Sequence, residues 1–170
     1  MNLKHIYLIG MMGSGKSYWG KELAKLAGCV FYDLDDLLIK EECRSINQIF
    51  DESGEKFFRD KETELLQRSF SFKEPFVIAT GGGVPCFHNN MDLMNLNGLT
   101  FWINEPVEVL YERLTKEKSH RPLLKELSDE GLKDFISTKL EQRKPFYSQA
   151  QYKVTSEDII QTFTTRVLEK

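Results

Sequence analysis

Eight residues near the amino terminus, Gly10-Met11-Met12-Gly13-Ser14-Gly15-Lys16-Ser17, constrain this chain more than any other feature. They fit G-x-x-x-x-G-K-[ST] and stand between an apolar run, His5–Ile9, and a segment over 17–27. That segment places Trp19, Leu23 and Leu26 at helical spacing before Gly28, a helix stop. In a strand–turn–helix setting, glycines 10, 13 and 15 let successive N–H groups point into one concavity, and the helix aims its positive end at the same place. The expected ligand is a nucleotide phosphate, held by Gly13, Ser14, Gly15, Lys16 and Ser17. Lys16 would meet the β- and γ-phosphates and the Ser17 hydroxyl a Mg²⁺ ion. The motif is silent about the phosphate acceptor.

The rest of the chain supplies the matching pattern. Short apolar runs at His5–Ile9, 29–32, Phe76–Ala79, 99–103 and Tyr152–Val154 alternate with longer helical segments, which predicts an α/β fold whose parallel sheet is covered on both faces. Ser45-Ile46-Asn47-Gln48 reads as a capping box, and Asn104-Glu105-Pro106, Ser128-Asp129-Glu130 and Ser156-Glu157-Asp158 read as further helix starts. After Ser156, Ile159, Ile160, Phe163 and Val167 fall on one side, as for a helix docked on the sheet. Residues 116–126 (KEKSHRPLLKE) are charged and Pro-broken, and are expected to form a mobile loop between helices. No repeat, linker or composition break divides the 170 residues, so one domain is expected.

Composition removes several function classes. Twenty-three Lys and Arg against 26 Asp and Glu give a net charge of −3, which argues against a general nucleic-acid binder. Residues 1–9 are too short and polar-broken for a signal peptide, and no run approaches the roughly 18 apolar residues of a membrane span. Cys29, Cys43 and Cys86 form no CxxC pair, so reduced thiols in a cytoplasmic protein are the expectation. His5, His88 and His120 share no metal-ligand spacing. Trp19 and Trp102 read as packing residues, and Cys86 as a bystander thiol.

Two further clusters carry chemistry. Asp33-Leu34-Asp35-Asp36 follows the second apolar run, at the strand end that faces a ligand crevice. Alternation puts Asp33 and Asp35 on one side, suited to metal-bound water and a substrate hydroxyl, while Asp36 is expected to cap the next helix. Thr80-Gly81-Gly82-Gly83 follows the third run, and three consecutive glycines are expected to serve close backbone approach to a ligand rather than packing. In Phe57-Phe58-Arg59-Asp60-Lys61-Glu62, a helical pattern starting near Glu55, Lys61 and Asp60 read as a solvated charge run, and Arg59 is ambiguous by itself.

Taken together, GMMGSGKS, DLDD, SINQIFDESGEKFFRDKE, ATGGG, HRPLL and RKPFY occur in an order and at a spacing that resemble the shikimate kinase family, from about Ile6 to Tyr147. The resemblance implies a P-loop NTPase fold, three-layer α/β/α, with a five-stranded parallel sheet in order 2-3-1-4-5. It further implies one kinase domain over 1–170, a mobile lid at about 116–126 and a shikimate-binding region at about 33–62. The implied activity is ATP-dependent phosphorylation of the 3-hydroxyl of shikimate, with Mg²⁺, by a cytoplasmic monomer that binds neither nucleic acid nor membrane. It assigns Lys16, Asp35 and Arg121 to catalysis. Arg113 resembles the arginine against adenine, and Arg121 the lid arginine on the transferring phosphate. Asp35, Arg59, Gly81, Gly82, Gly83 and Arg143 are implied to bind shikimate, with Arg59 and Arg143 on its carboxylate. Ser17, and Asp33 through water, are implied at the metal, and Phe50, Phe58, Pro122 and Leu123 as apolar walls. Ala79 stands where family members often carry Ser or Thr, with Thr80 beside it. The alternatives are a related small-molecule kinase, such as a gluconate kinase, and a nucleotide-binding regulatory module without transfer.

The chemistry of such an acceptor agrees with these residues. A planar carboxylate is best held by guanidinium forks. Phosphoryl transfer needs positioning and positive charge on the moving group.

Overall fold

A computed structural model describes residues 4–117, 124 and 127–169. Its sheet has five parallel strands in the order β2-β3-β1-β4-β5: β1 His5–Ile9, β2 Val30–Asp33, β3 Phe76–Ala79, β4 Gly98–Ile103 and β5 Tyr152–Val154. Three strands have the expected bounds. β2 starts one residue later than expected and runs to Asp33, and β4 gains Gly98, because pairing with β3 and β1 rather than apolarity sets their ends.

Strand β1 shows how the core is divided. Tyr7 and Ile9 enter a cluster with Leu34, Leu38, Leu66 and Phe76, while Ile6 and Leu8 enter another with Leu23, Phe101 and Phe163 on the opposite face. Burial on both sides makes the central strands continuously apolar. The helices are α1 Lys16–Ala27, α2 Leu34–Glu42, α3 Ile46–Ser69, α4 Asn90–Asn97, α5 Val107–Glu117, α6 Asp129–Tyr147 and α7 Ile159–Phe163. A third cluster, with Met11, Leu110, Leu114, Leu124, Leu132 and Ile136, joins α5 and α6 to the phosphate-loop turn.

The Ser45–Gln48 capping box is formed in both directions. Gly54, at φ 81°, interrupts α3, so the expected helix start near Glu55 corresponds to a second helical segment. Ser128 caps α6 by accepting from the Gly131 N–H. Three expectations at helix starts are corrected. Asp33, not Asp36, caps α2, since its side chain accepts the Asp35 N–H at 3.1 Å; Asp36 lies exposed in the first turn. Asn104 donates its N–H to Val154, which ties it to the strand rather than to α5. Ser156 bonds Glu105 instead of capping α7, and it is Asp158 that closes that turn on Thr155. At the carboxyl end Ile159 and Phe163 are buried but Ile160 faces solvent, because α7 is a short helix followed by a wider turn over Thr164–Leu168. Within the expected loop at 116–126, Lys116 and Glu117 belong to α5 and Leu124 is buried; Arg121, Pro122, Leu123 and His120 lie outside the described residues. Among the described residues no helix is long and apolar enough to cross a membrane.

Candidate active site

The carboxyl ends of β1, β2 and β3 open into a cleft of about 520 Å³. Such a crevice, beside the strand where the sheet order reverses, is where ligands bind in open parallel sheets. The turn from β1 to α1 lines it. Gly13 and Gly15 have φ of 78° and 91°, a left-handed conformation that favours glycine and turns the backbone back on itself before α1 begins. Lys16 is largely buried, and its ammonium donates to the Gly10 and Met11 carbonyls, both at 2.9 Å. The Ser17 hydroxyl donates to Asp33 Oδ2 at 2.5 Å, while Asp33 Oδ1 holds the α2 N-terminus. Asp35 faces the cleft from the first turn of α2, so helix geometry rather than strand alternation places it near Asp33. Its Oδ1 is buried without a hydrogen-bond partner among the described residues, and burial together with the neighbouring Asp33 charge raises its pKa.

The triple-glycine turn corrects the expectation that these residues serve no packing role. A Cβ on Gly82 would lie 2.9 Å from Arg143 Nη1, and one on Gly83 would lie 2.5 Å from Arg59 Nη1. The bare backbone therefore lets two guanidinium groups from distant helices, α3 and α6, approach consecutive residues. Arg59 donates to Glu62 at 2.7 Å and to Glu55 at 3.3 Å, and its guanidinium carbon lies 4.7 to 6.0 Å from the Phe87, Phe58 and Phe50 rings. Those rings shield the guanidinium faces, while Glu62 accepts from Nη1 and Glu55 from Nε and Nη2, so an incoming anion must share these donors. Among the described residues Arg143 pairs with no carboxylate, and its Nη1 lies 3.5 Å from Met11 Sδ.

On the other side of the phosphate loop, Arg113 donates to the Gly13 carbonyl and to Ser156 Oγ, both at 3.1 Å. Trp19 Nε1 donates to the same Ser156 oxygen at 3.3 Å, and Trp19 lines the cleft, so its role is not packing alone. Buried Glu105 accepts from Ser156 N–H and hydroxyl and lies 3.7 Å from Arg113, which links both loops around this end. Ala79 is buried in β3, and the Thr80 hydroxyl donates to the Leu8 carbonyl at 3.0 Å. That donor is committed to the sheet.

Sequence reasoning thus missed several residues. Glu62 is 1 % exposed and sits one helical turn after Arg59; that spacing was the available signal. Burial, reinforced by the Asp35 charge and only partly offset by Arg59 and Arg143, pushes its pKa up to about 7. Tyr147 is buried, donates to the Gly82 carbonyl at 2.6 Å and fixes the glycine turn. Phe87 carried no signal of its own, and Ser156 carried only that of a helix cap. His5 stacks on Phe76 and His88 pairs with Asp60, away from any metal chemistry. Burial pushes the Cys86 thiol up, consistent with an inert side chain.

Known proteins resemble this chain in sequence and in fold. The shikimate kinase family profile matches residues 12–170. The shikimate kinase of Parabacteroides distasonis is 44% identical over 93% of this chain and 91% of its own length. A crystal structure of shikimate kinase from Bacteroides thetaiotaomicron superposes with a TM-score of 0.92 at 38% identity, over 99% of both chains. Shikimate kinase from Acinetobacter baumannii in complex with shikimate gives a TM-score of 0.85 at 30% identity, over 96% of this chain and 94% of that one. On the match of profile, sequence and fold over almost its full length, the chain belongs to the shikimate kinase family.

Proposed function

We propose that the chain transfers the γ-phosphoryl group of ATP to the 3-hydroxyl of shikimate, giving ADP and shikimate 3-phosphate. The observation that carries this reading is the convergence of Arg59 and Arg143 on Gly83 and Gly82, next to the phosphate loop. Two guanidinium forks at one point suit a planar carboxylate, and Asp35 beyond them suits the hydroxyls of the same ring.

In this mechanism Gly13 to Ser17 cradle the phosphates through backbone N–H groups, and Lys16 swings from its carbonyl partners to the β- and γ-oxygens. Arg113 with Trp19 flanks the base. Arg59 and Arg143 hold the carboxylate and so fix the ring, with Gly81 to Gly83 as its backbone floor and Phe50 and Phe58 beside it. Asp35, half-buried and with a buried Oδ1 that has no partner among the described residues, accepts a hydrogen bond from the attacking hydroxyl; its raised pKa brings it nearer the range in which an acid can take that proton. In a loose transition state the orienting bond matters more than the proton transfer. Arg121, assigned by the family resemblance and outside the described residues, supplies positive charge as the phosphoryl group moves, and the loop that carries it serves as a lid against water.

Mg²⁺ takes few protein ligands and keeps waters and substrate phosphates as the others. A Ser17 hydroxyl and an Asp33 carboxylate fit that demand, and no cluster of three metal-binding side chains exists among the described residues. Bound there, the ion would neutralise charge on the β- and γ-phosphates. The proposed working form is a cytoplasmic monomer, in keeping with three free cysteines.

Product analysis tests the regiochemistry. Incubation with ATP and shikimate should yield one phosphomonoester whose phosphorus couples to the ring proton at carbon 3 in NMR. A phosphate on another hydroxyl would refute the placement of Asp35.

A further inference from the structure

The wall of the cleft near Gly81 concentrates acids as well as bases. A Cβ on Gly81 would lie 2.5 Å from Glu62 Oε1 and 3.2 Å from Asp35 Oδ1. Two carboxylates therefore approach one point, although only Asp35 has a task in the transfer. The groups that face Glu62 are Arg59 on its own helix, Asp35 on α2, Arg143 on α6 and the Cys86 thiol on the turn Val84–Cys86. Lys16 and Asp33 act one step further away, on Asp35. Cys86 is neutral at physiological pH, because burial pushes its thiol up. The formal charges of Arg59 and Arg143 are thus already met by those of Asp35, Glu62 and, on Arg59, Glu55 before any substrate arrives.

A substrate carboxylate seated on the two arginines adds a further negative charge beside the buried Glu62. It also competes with Glu62 for Arg59, the partner that keeps Glu62 ionised. We infer that Glu62 takes up a proton from solvent when the carboxylate of the acceptor settles on Arg59 and Arg143, so that the anion and a proton bind together. This rests on the acceptor reading proposed above. Glu62 is then a positioning residue whose charge follows the occupancy of the clamp. Its protonated form still accepts from Arg59 through its carbonyl oxygen. The balance is simple: one proton passes from buffer to a Glu62 oxygen on binding and returns when the ligand leaves.

Burial already holds Glu62 near the middle of its titration, at about 7, in the unliganded protein. A further negative neighbour raises its proton affinity. By linkage, uptake is greatest just above pH 7, fades below about pH 6 where Glu62 is already protonated, and makes acceptor affinity fall as pH rises. For a tenfold gain in proton affinity, about half a proton is taken up per site at pH 7.5.

Calorimetric titration of shikimate into the full chain without nucleotide, at pH 7.5 in phosphate and in Tris, counts the protons. The expected result is a buffer-dependent heat that gives about half a proton taken up, and a Kd that weakens up to about tenfold between pH 6 and 8.5. Glu62→Gln, which keeps an acceptor for Arg59, should bind with equal heats in both buffers and a flat Kd. Equal heats for the wild-type chain overturn the inference whether or not the variant folds, and so does unchanged uptake in Glu62→Gln. Absence of shikimate binding in every buffer would overturn the acceptor reading itself, and this inference with it.

Discussion

Replacing Gly83 by alanine should uncouple the two substrates. Gly83 has φ −87°, a conformation open to alanine, so the backbone suffers no strain and only the added Cβ acts. That atom would fall 2.5 Å from Arg59 Nη1 and 2.7 Å from its Cζ. Reaching an ordinary contact of 3.4 Å requires the guanidinium to retreat by about 0.9 Å. Arg59 cannot retreat freely, being bonded to Glu62 at 2.7 Å and faced by Phe87 and Phe58 rings at 4.7 and 5.0 Å. The displaced fork loses its alignment on the carboxylate. A charged hydrogen bond contributes about 1.5–3 kcal/mol, and a misplacement of ~1 Å alone can reduce rates about 100-fold. Affinity for shikimate should therefore fall about 10- to 100-fold. The phosphate loop is untouched, so the KM for ATP should change less than about threefold, well inside 1 kcal/mol. Steady-state kinetics with each substrate varied in turn, alongside thermal unfolding, decide the matter. A folded Gly83→Ala enzyme with unchanged shikimate affinity, or with equal losses for both substrates, would refute the reasoning.

Lys16→Ala should abolish transfer while the circular dichroism spectrum keeps its wild-type form, because the ammonium sits on the turn carbonyls of Gly10 and Met11 at the cleft rather than in the apolar core; near-normal turnover would remove the phosphate-loop assignment. Arg121→Ala should depress kcat far more than shikimate affinity, since its charge is used as the phosphoryl group moves; unchanged turnover would remove the lid arginine. Stability should also respond to Glu62. Its pKa is raised from 4.5 to about 7 on folding, so the folded chain binds the proton more tightly and stability falls as pH rises between those values. The Tm of Glu62→Gln relative to wild type should accordingly climb from pH 4.5 to 7.5, whereas parallel curves would contradict a buried, titrating Glu62.

Local signals led to the sheet because they are local. Apolar runs, the glycine-rich turn and the Ser45 cap each act within a few residues, and strand order followed from the family resemblance. The phosphate loop was legible for the same reason. What escaped was set by distance in space. The pairing of Arg59 with Glu62 is written in a helical spacing, but its burial comes from packing that no spacing shows. Ser156 resembled a cap because Ser-Glu-Asp is a common helix start, yet buried Glu105 on another loop competes for both its donors. Trp19 looked like core because its helix is amphipathic, although the phosphate loop and Arg113 turn its ring toward the cleft. The triple glycine was read as close backbone approach to a ligand rather than packing, whereas its missing side chains make room for Arg59, Glu62 and Arg143.

The cleft should select shikimate as the phosphate acceptor for ATP. Coupled measurement of ADP release with Mg²⁺-ATP and, in separate reactions, shikimate, gluconate or no acceptor tests it most directly. ADP release should be rapid and saturable with shikimate and stay at the background hydrolysis rate in the other two reactions. Release that is equally fast with gluconate, or that is independent of any acceptor, would contradict it.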